Sequence, residues 1–141
     1  MSIIKVKKLH PDAKLPTRTH DGDAGYDLHI LDDVTIPPGE IVKAKTGIAI
    51  ELPDGYWGFI KERSSTALKG LVVTVAGVVD NGYRGEIILG LFNTSEDWAH
   101  YEAGSKVAQI IPISLYDGDI IEVNKLGDSS RGHGGFGSTG S

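Results

Sequence analysis

Short apolar runs separated by clusters of turn residues set the pattern of this chain up to residue 126. Ile3–Leu9 alternates in part, with Lys5 and Lys7 outward, and predicts a first strand. Pro11 and Pro16 bracket a loop through His20, and Asp23–Leu28 then enters a strand that continues to Ile30. After the Pro37-Pro38-Gly39 turn, Ile41–Lys45 alternates, and Ile48, Ile50 and Leu52 share one face of the next strand. Pro53-Asp54-Gly55 turns the chain into a strand over Tyr56–Glu62. Ser64–Gly70 is a helical turn that a Ser can cap and Gly70 can end. Leu71–Phe92 predicts a ribbon of two apolar arms around Asp80-Asn81-Gly82-Tyr83, where Asn-Gly favours a type I′ turn. Its second arm, Ile87–Phe92, is continuously apolar, which suits burial on both faces, in a sandwich or a subunit contact. Trp98–Tyr101, Lys106–Leu115 and, after Asp117-Gly118, Ile120–Val123 complete the strand candidates. Turn signals recur about every ten residues with no sustained helical period, the mark of an all-β sandwich or barrel.

Composition narrows this picture. At 141 residues and 40% hydrophobic, the chain can bury a real core in one domain. That domain is expected over residues 1–126, because Gly127–Ser141 is too polar and glycine-rich to hold structure alone. The absence of cysteine excludes disulfides, thiolate metal sites and a thiol nucleophile. A net charge of −5 argues against non-specific binding of duplex nucleic acid, while leaving room for a locally basic pocket and a small anionic ligand. No apolar stretch approaches the ~18 residues of a membrane helix. MSIIKVKKLH lacks the apolar core of a signal peptide, so a cytoplasmic protein is expected.

Candidate chemistry sits in the polar interruptions. The ribbon tip gathers Asp80, Tyr83, Arg84 and Glu86, which read equally as a solvated turn or as a site. Arg63-Ser64-Ser65 falls where a strand becomes a helical turn; it is either an ordinary cap beside a surface Arg or an anion contact. Asp27 lies inside a strand, where it faces solvent or orients a cationic group or a metal-bound water. Gln109 interrupts the apolar run Val107–Ile113 and must face solvent, a site or a partner. In the tail, Arg131, Phe136, Ser138 and Thr139 offer a phosphate fork, a stacking ring and hydroxyls, as a flap closing over a nucleotide would. The G-x-G-x-x-G within Gly132–Gly137 lacks the strand before it and helix after it that a dinucleotide site requires. The five histidines show no metal-ligand spacing, and no G-x-S-x-G elbow is present.

Taken in order, AGYDL (24–28), RSSTALKG (63–70), GVVDNGYRGEI (77–87), VAQIIP (107–112) and RGHGGFGSTG (131–140) closely resemble the motifs of the homotrimeric dUTPase family. The resemblance covers essentially the whole chain. It implies an all-β, jelly-roll-like distorted β-barrel with one short helix and a flexible tail, assembled as a homotrimer. Each of its active sites would take the first, second and fourth motifs from one subunit, the ribbon motif from another and the tail from the third. The implied reaction is hydrolysis of dUTP to dUMP and pyrophosphate with Mg²⁺, which keeps uracil out of DNA and supplies dUMP. By the same resemblance Asp80 would deprotonate the water that attacks the α-phosphorus, and Tyr83 would pack on the deoxyribose and exclude a 2′-hydroxyl. The ribbon backbone, including Gly77 and Val79, would recognise uracil and exclude a 5-methyl group. Arg63, Ser64 and Ser65 would contact phosphates, and Asp27 and Gln109 would orient waters around Mg²⁺, with Gln109 also near substrate. Arg131, Gly137, Ser138 and Thr139 would clamp the γ-phosphate end, and Phe136 would stack over the base.

Two positions depart from the family pattern: Ser65 stands where many members have Gly, and Lys106 where Arg is frequent. R-S-S also resembles dCTP deaminase, which shares the fold. The catalytic Glu of that enzyme would fall at Gly90 and its Arg at Leu68, so deamination is not expected. A non-enzymatic nucleotide sensor on the same scaffold is the other alternative.

Overall fold

The computed structural model describes residues 2–137, with Thr74 described by its backbone alone. Two four-stranded antiparallel sheets face each other. The first runs β1 (Lys5–Lys8), β4 (Ile41–Glu51), β8 (Glu86–Asn93), β6 (Leu71–Val75). The second runs β2 (Tyr26–His29), β10 (Lys106–Ser114), β5 (Tyr56–Glu62), β7 (Val78–Val79). A separate ribbon pairs β3 (Val34–Ile36) with β9 (Ala99–Tyr101). The fold is the all-β jelly-roll class; among the described residues the ladders stop short of a closed barrel. Alternation puts Ile48, Ile50, Ile87, Leu89 and Leu91 of one sheet against Leu28, Ile60, Val107 and Ile110 of the other in one buried cluster. Each such side chain contributes about 1.5–3 kcal/mol by leaving water.

Several sequence expectations change. Ile41–Glu51 is one strand, not two. Its pairing with β8 shifts between Lys45 and Ala49, where Gly47 adopts φ +71°. This bulge grips the opposite strand with side chains. The Thr46 hydroxyl donates to the Ile87 carbonyl at 2.6 Å, and the Gly47 N–H donates to the Glu86 carboxylate at 2.9 Å. The ribbon is no simple hairpin either. β6 pairs with β8, but the chain leaves at Ala76 (φ +55°) and crosses sheets, so that β7 pairs with β5. Positive φ falls at Ala76 and not at Asn81 or Gly82, so no type I′ turn forms. On β8, Ile87, Leu89 and Leu91 are buried, while Ile88 and Phe92 on the other face are half-buried.

The helical turn α1 spans Ser64–Ala67 with Arg63 at its N-cap and no side-chain cap; Gly70 follows at φ +89°. The expected strand over Ile120–Val123 is absent. Residues 115–137 form no ladder, and Ile120 is 99% exposed. An apolar stretch with no sheet edge of its own chain to pair with forms no strand.

Candidate active site

β10 lies between β2 and β5, and this order builds the first cluster. Gln109 pairs with Asp27 on one side and with Lys61 on the other, which brings Asp27, Gln109 and the residue after β5, Arg63, to one end of the sheet. Arg63 Nε donates to Asp27 Oδ1 at 3.0 Å, and Lys106 Nζ stands 3.5 Å from Asp27 Oδ2. Arg63 Nη1 also reaches the Lys106 carbonyl at 3.3 Å and the Ser65 hydroxyl at 3.5 Å. Gln109 Nε2 donates to the Glu62 carbonyl at 2.9 Å. The Gln109 side chain lies against Gly25, where an added Cβ would come within 2.9 Å of Gln109 Cδ, so the first stretch needs glycine here. Asp27, Arg63, Ser64, Ser65 and Gln109 together line a cavity of about 480 Å³.

The cavity is hydroxyl-bearing and carries Arg63 together with the Asp23 and Asp27 carboxylates, Asp27 being held between Arg63 and Lys106. At four residues, α1 is too short to carry a macrodipole, so positive charge here comes from the Arg63 and Lys106 side chains. Lys106 makes a single-point contact where a guanidinium would offer a fork. Beside it on β2, His29 is buried, its Nδ1 lacking a hydrogen-bond partner within the described residues. Burial first, then Lys14 and Lys106, lower its pKa below the usual histidine value.

The second cluster forms where the chain passes from β7 to β8. Val79, Asp80 and Tyr83 line a cavity of about 260 Å³ with Ile60, Glu86 and Ile87. Gly77 is fixed at its edge, its carbonyl accepting from the Ile60 N–H at 2.7 Å. The Tyr83 N–H donates to the Asp80 carbonyl at 3.1 Å, and the Tyr83 hydroxyl donates to the Glu86 carbonyl at 2.7 Å. Asn81 is a support that the sequence reading missed, and Glu86, singled out at the ribbon tip, proves to be one as well. The Asn81 amide donates to the carbonyls of Pro53 (3.0 Å) and Tyr56 (2.9 Å), and the Glu86 carboxylate accepts from the β4 bulge. Local pattern carried no signal of these three bonds, because each crosses more than twenty residues.

One chain therefore unites Asp27, Arg63, Ser64, Ser65 and Gln109 in one cavity and Val79, Asp80 and Tyr83 in another. Among the described residues the tail lines neither cavity. Arg131 Nε donates to the Gly134 carbonyl, and Phe136 and Gly137 are exposed, with Phe136 at φ +46°. Ser138 and Thr139 lie outside the described residues. At Gly90 a Cβ would stand 2.8 Å from Val75 Cβ, so this strand position has no room for the acid that a deaminase would need there.

A jelly roll that displays a guanidinium, serines and a carboxylate in one cavity and a carboxylate–tyrosine loop in another is suited to a phosphorylated ligand. The dUTPase family profile matches residues 11–140, and the chain belongs to this family. It is 48% identical over 139 residues to a deoxyuridine 5'-triphosphate nucleotidohydrolase of Clostridioides difficile, covering 97% of both chains. It is 41% identical over 140 residues to the one from Paramecium bursaria Chlorella virus 1, covering 99% of both. Among solved structures, a Staphylococcus bacteriophage 80alpha dUTPase (G164S mutant, with dUpNHpp) superposes with a TM-score of 0.91 at 28% identity, covering 99% of each chain.

Proposed function

We propose that this chain hydrolyses dUTP to dUMP and pyrophosphate. The observation that carries this reading is the Asp80–Tyr83 loop and the Arg63–Ser65 cavity, both built and both on the family's stretches. Asp80 takes a proton from a water whose oxygen attacks the α-phosphorus. The bond from that phosphorus to the α–β bridging oxygen breaks, and pyrophosphate leaves with its electron pair. Arg63, Ser64 and Ser65 bind phosphate oxygens and offset the charge that develops on them. Tyr83, held by its hydroxyl on the Glu86 carbonyl, packs on the deoxyribose where a 2′-hydroxyl would clash. The Gly77 and Val79 backbone pairs with the uracil edge. Arg131, Phe136, Gly137, Ser138 and Thr139 close over the bound nucleotide and keep out further water.

Mg²⁺ belongs to this reading. Among the described residues no group of three or more His, Asp or Glu side chains gathers to cage a cation, and both Asp27 oxygens already face cationic side chains. Asp27 and Gln109 offer hard oxygen donors, which suit the retained waters of Mg²⁺. Bound to the triphosphate, Mg²⁺ supplies charge neutralisation at the phosphate oxygens, with Asp27 and Gln109 holding its waters.

The homotrimer also belongs to it. The two clusters occupy separate cavities in one chain, and Ile120, Ile121 and Leu126 are 99%, 75% and 80% exposed on an unpaired stretch. In an assembly these side chains gain a neighbour to cover them, and sites from different subunits meet. No helix among the described residues is long and apolar enough to cross a membrane, and a cytoplasmic location, where the nucleotide substrate is found, belongs to the same proposal.

The test is pyrophosphate release from dUTP, dTTP, dCTP and UTP in parallel, with Mg²⁺. Release from dUTP alone is the expected result. Tight dUTP binding without release points to a sensor, and ammonia from dCTP overturns the argument from Gly90.

A further inference from the structure

Asn81 directly follows Asp80. Its side-chain amide is half-buried and gives both of its protons to one turn, at 3.0 Å to the Pro53 carbonyl and 2.9 Å to the Tyr56 carbonyl. That turn joins β4 to β5, and it is itself closed by the Tyr56 N–H donating to the Pro53 carbonyl at 3.2 Å. Two carbonyls on one planar amide fix its plane as well as its position. On the other side, Arg84 Nη1 donates to the Asn81 carbonyl at 2.6 Å. The Asn81 backbone is therefore held from two directions, and the Asp80 Cα lies one peptide away, about 3.8 Å.

Asp80 has no comparable support. It is exposed, and among the described residues no hydrogen bond or ion pair holds its carboxylate. Its aim depends on its backbone, which is held by the Tyr83 N–H on its own carbonyl at 3.1 Å and, through the next peptide, by the Asn81 side chain on the β4–β5 turn. The residue type at 81 follows from this. The backbone there does not take the positive φ that commonly selects Asn, so the side chain is what the position uses.

We propose that Asn81 is the positioning residue for Asp80: it anchors the reacting loop to the β4–β5 turn and so fixes where the carboxylate meets the attacking water. This rests on the reading of Asp80 as the base. The Asn81→Ala chain removes both donors, and Asn81→Ser keeps a single proton that can serve only one of the two carbonyls.

The experiment measures kcat and KM for pyrophosphate release from dUTP, and Kd for the non-hydrolysable dUpNHpp, in wild type, Asn81→Ala, Asn81→Ser and Asp80→Asn. Asn81→Ala is expected to lower kcat roughly thirtyfold, about 2 kcal/mol at 1.36 kcal/mol per decade, while Kd stays within about twofold. Asn81→Ser is expected to fall between. In single turnovers, adding Asn81→Ala to Asp80→Asn lowers the residual rate no further, because the two act through one group. Full kcat in Asn81→Ala overturns the inference, as does an equal loss of kcat and analogue affinity, or a full extra loss on the Asp80→Asn background. If Asn81→Ala does not fold, Asn81→Ser decides, and full kcat there is fatal to it. A wild type inert on dUTP, or an Asp80→Asn chain that turns over normally, instead removes the underlying reading of Asp80.

Discussion

Gly25→Ala is a small change with two separable consequences. The new methyl group would fall onto the Gln109 amide oxygen, 2.9 Å from Cδ and 3.1 Å from Cβ. The amide end can rotate away, but the Cβ cannot. Rotation breaks the Gln109–Glu62 hydrogen bond of 2.9 Å, a loss of about 0.5–1.5 kcal/mol. Crowding at Gln109 Cβ adds about 1 kcal/mol at the lower end of overpacking costs. The sum, about 2 kcal/mol, lowers Tm by roughly 6–10 °C at about 3–5 °C per kcal/mol for a domain of this size. Activity falls further than stability, because Gln109 leaves the cavity it shares with Asp27 and Arg63; kcat/KM drops by roughly ten- to a hundredfold. Thermal melts and pyrophosphate release on the same preparations read both effects. Gln109→Ala isolates the second, with a similar loss of activity and a smaller fall in Tm. A Gly25→Ala chain with unchanged Tm and turnover, or with Gln109 unmoved in its crystal structure, refutes the reasoning.

Arg63→Lys cannot reproduce the donations to Asp27, Ser65 and the Lys106 carbonyl at once; kcat/KM for dUTP is expected to fall roughly ten- to a hundredfold, the worth of one charge-assisted bond. His29 makes stability pH-dependent. Burial, with Lys14 and Lys106 adding to it and Asp27 opposing, favours its neutral form in the fold. Below the unfolded value of about 6.5 the unfolded chain then binds more protons, so stability is full above that value and is lost as the pH falls through the lower folded one. Urea midpoints at about pH 7.5 and about pH 5.5 measure this, and His29→Gln should flatten the difference; an unchanged slope refutes it. Deleting Gly127–Ser141 removes no ladder or buried side chain among the described residues. The truncated chain should keep its Tm and lose most of its turnover, and an unfolded product would show that the tail supports the fold.

The sequence alone carried most of the strands, though not β3 (Val34–Ile36), since period-2 alternation and turn chemistry act within a few residues. Tyr56–Glu62 and the start of β10 at Lys106 fall where the pattern places them. It also carried the residue types of the site, because the five motif stretches are contiguous in sequence. Tertiary structure decided what those residues touch. The bulge at Gly47, the crossing of β7 to the other sheet and the lack of a ladder at Ile120–Val123 depend on which edges face each other, and no local pattern encodes that. Asp27 read as an acid that faces solvent or orients a cationic group or a metal-bound water, and only the order β2-β10-β5 sets it between Arg63 and Lys106. Asn81 looked like a turn residue, and only the approach of the β4–β5 turn makes it a clamp. Backbone propensity is a property of neighbours along the chain. A hydrogen bond across 25 or more residues is a property of the fold, and it outweighs a propensity difference of a fraction of a kcal/mol, being worth about 1 kcal/mol.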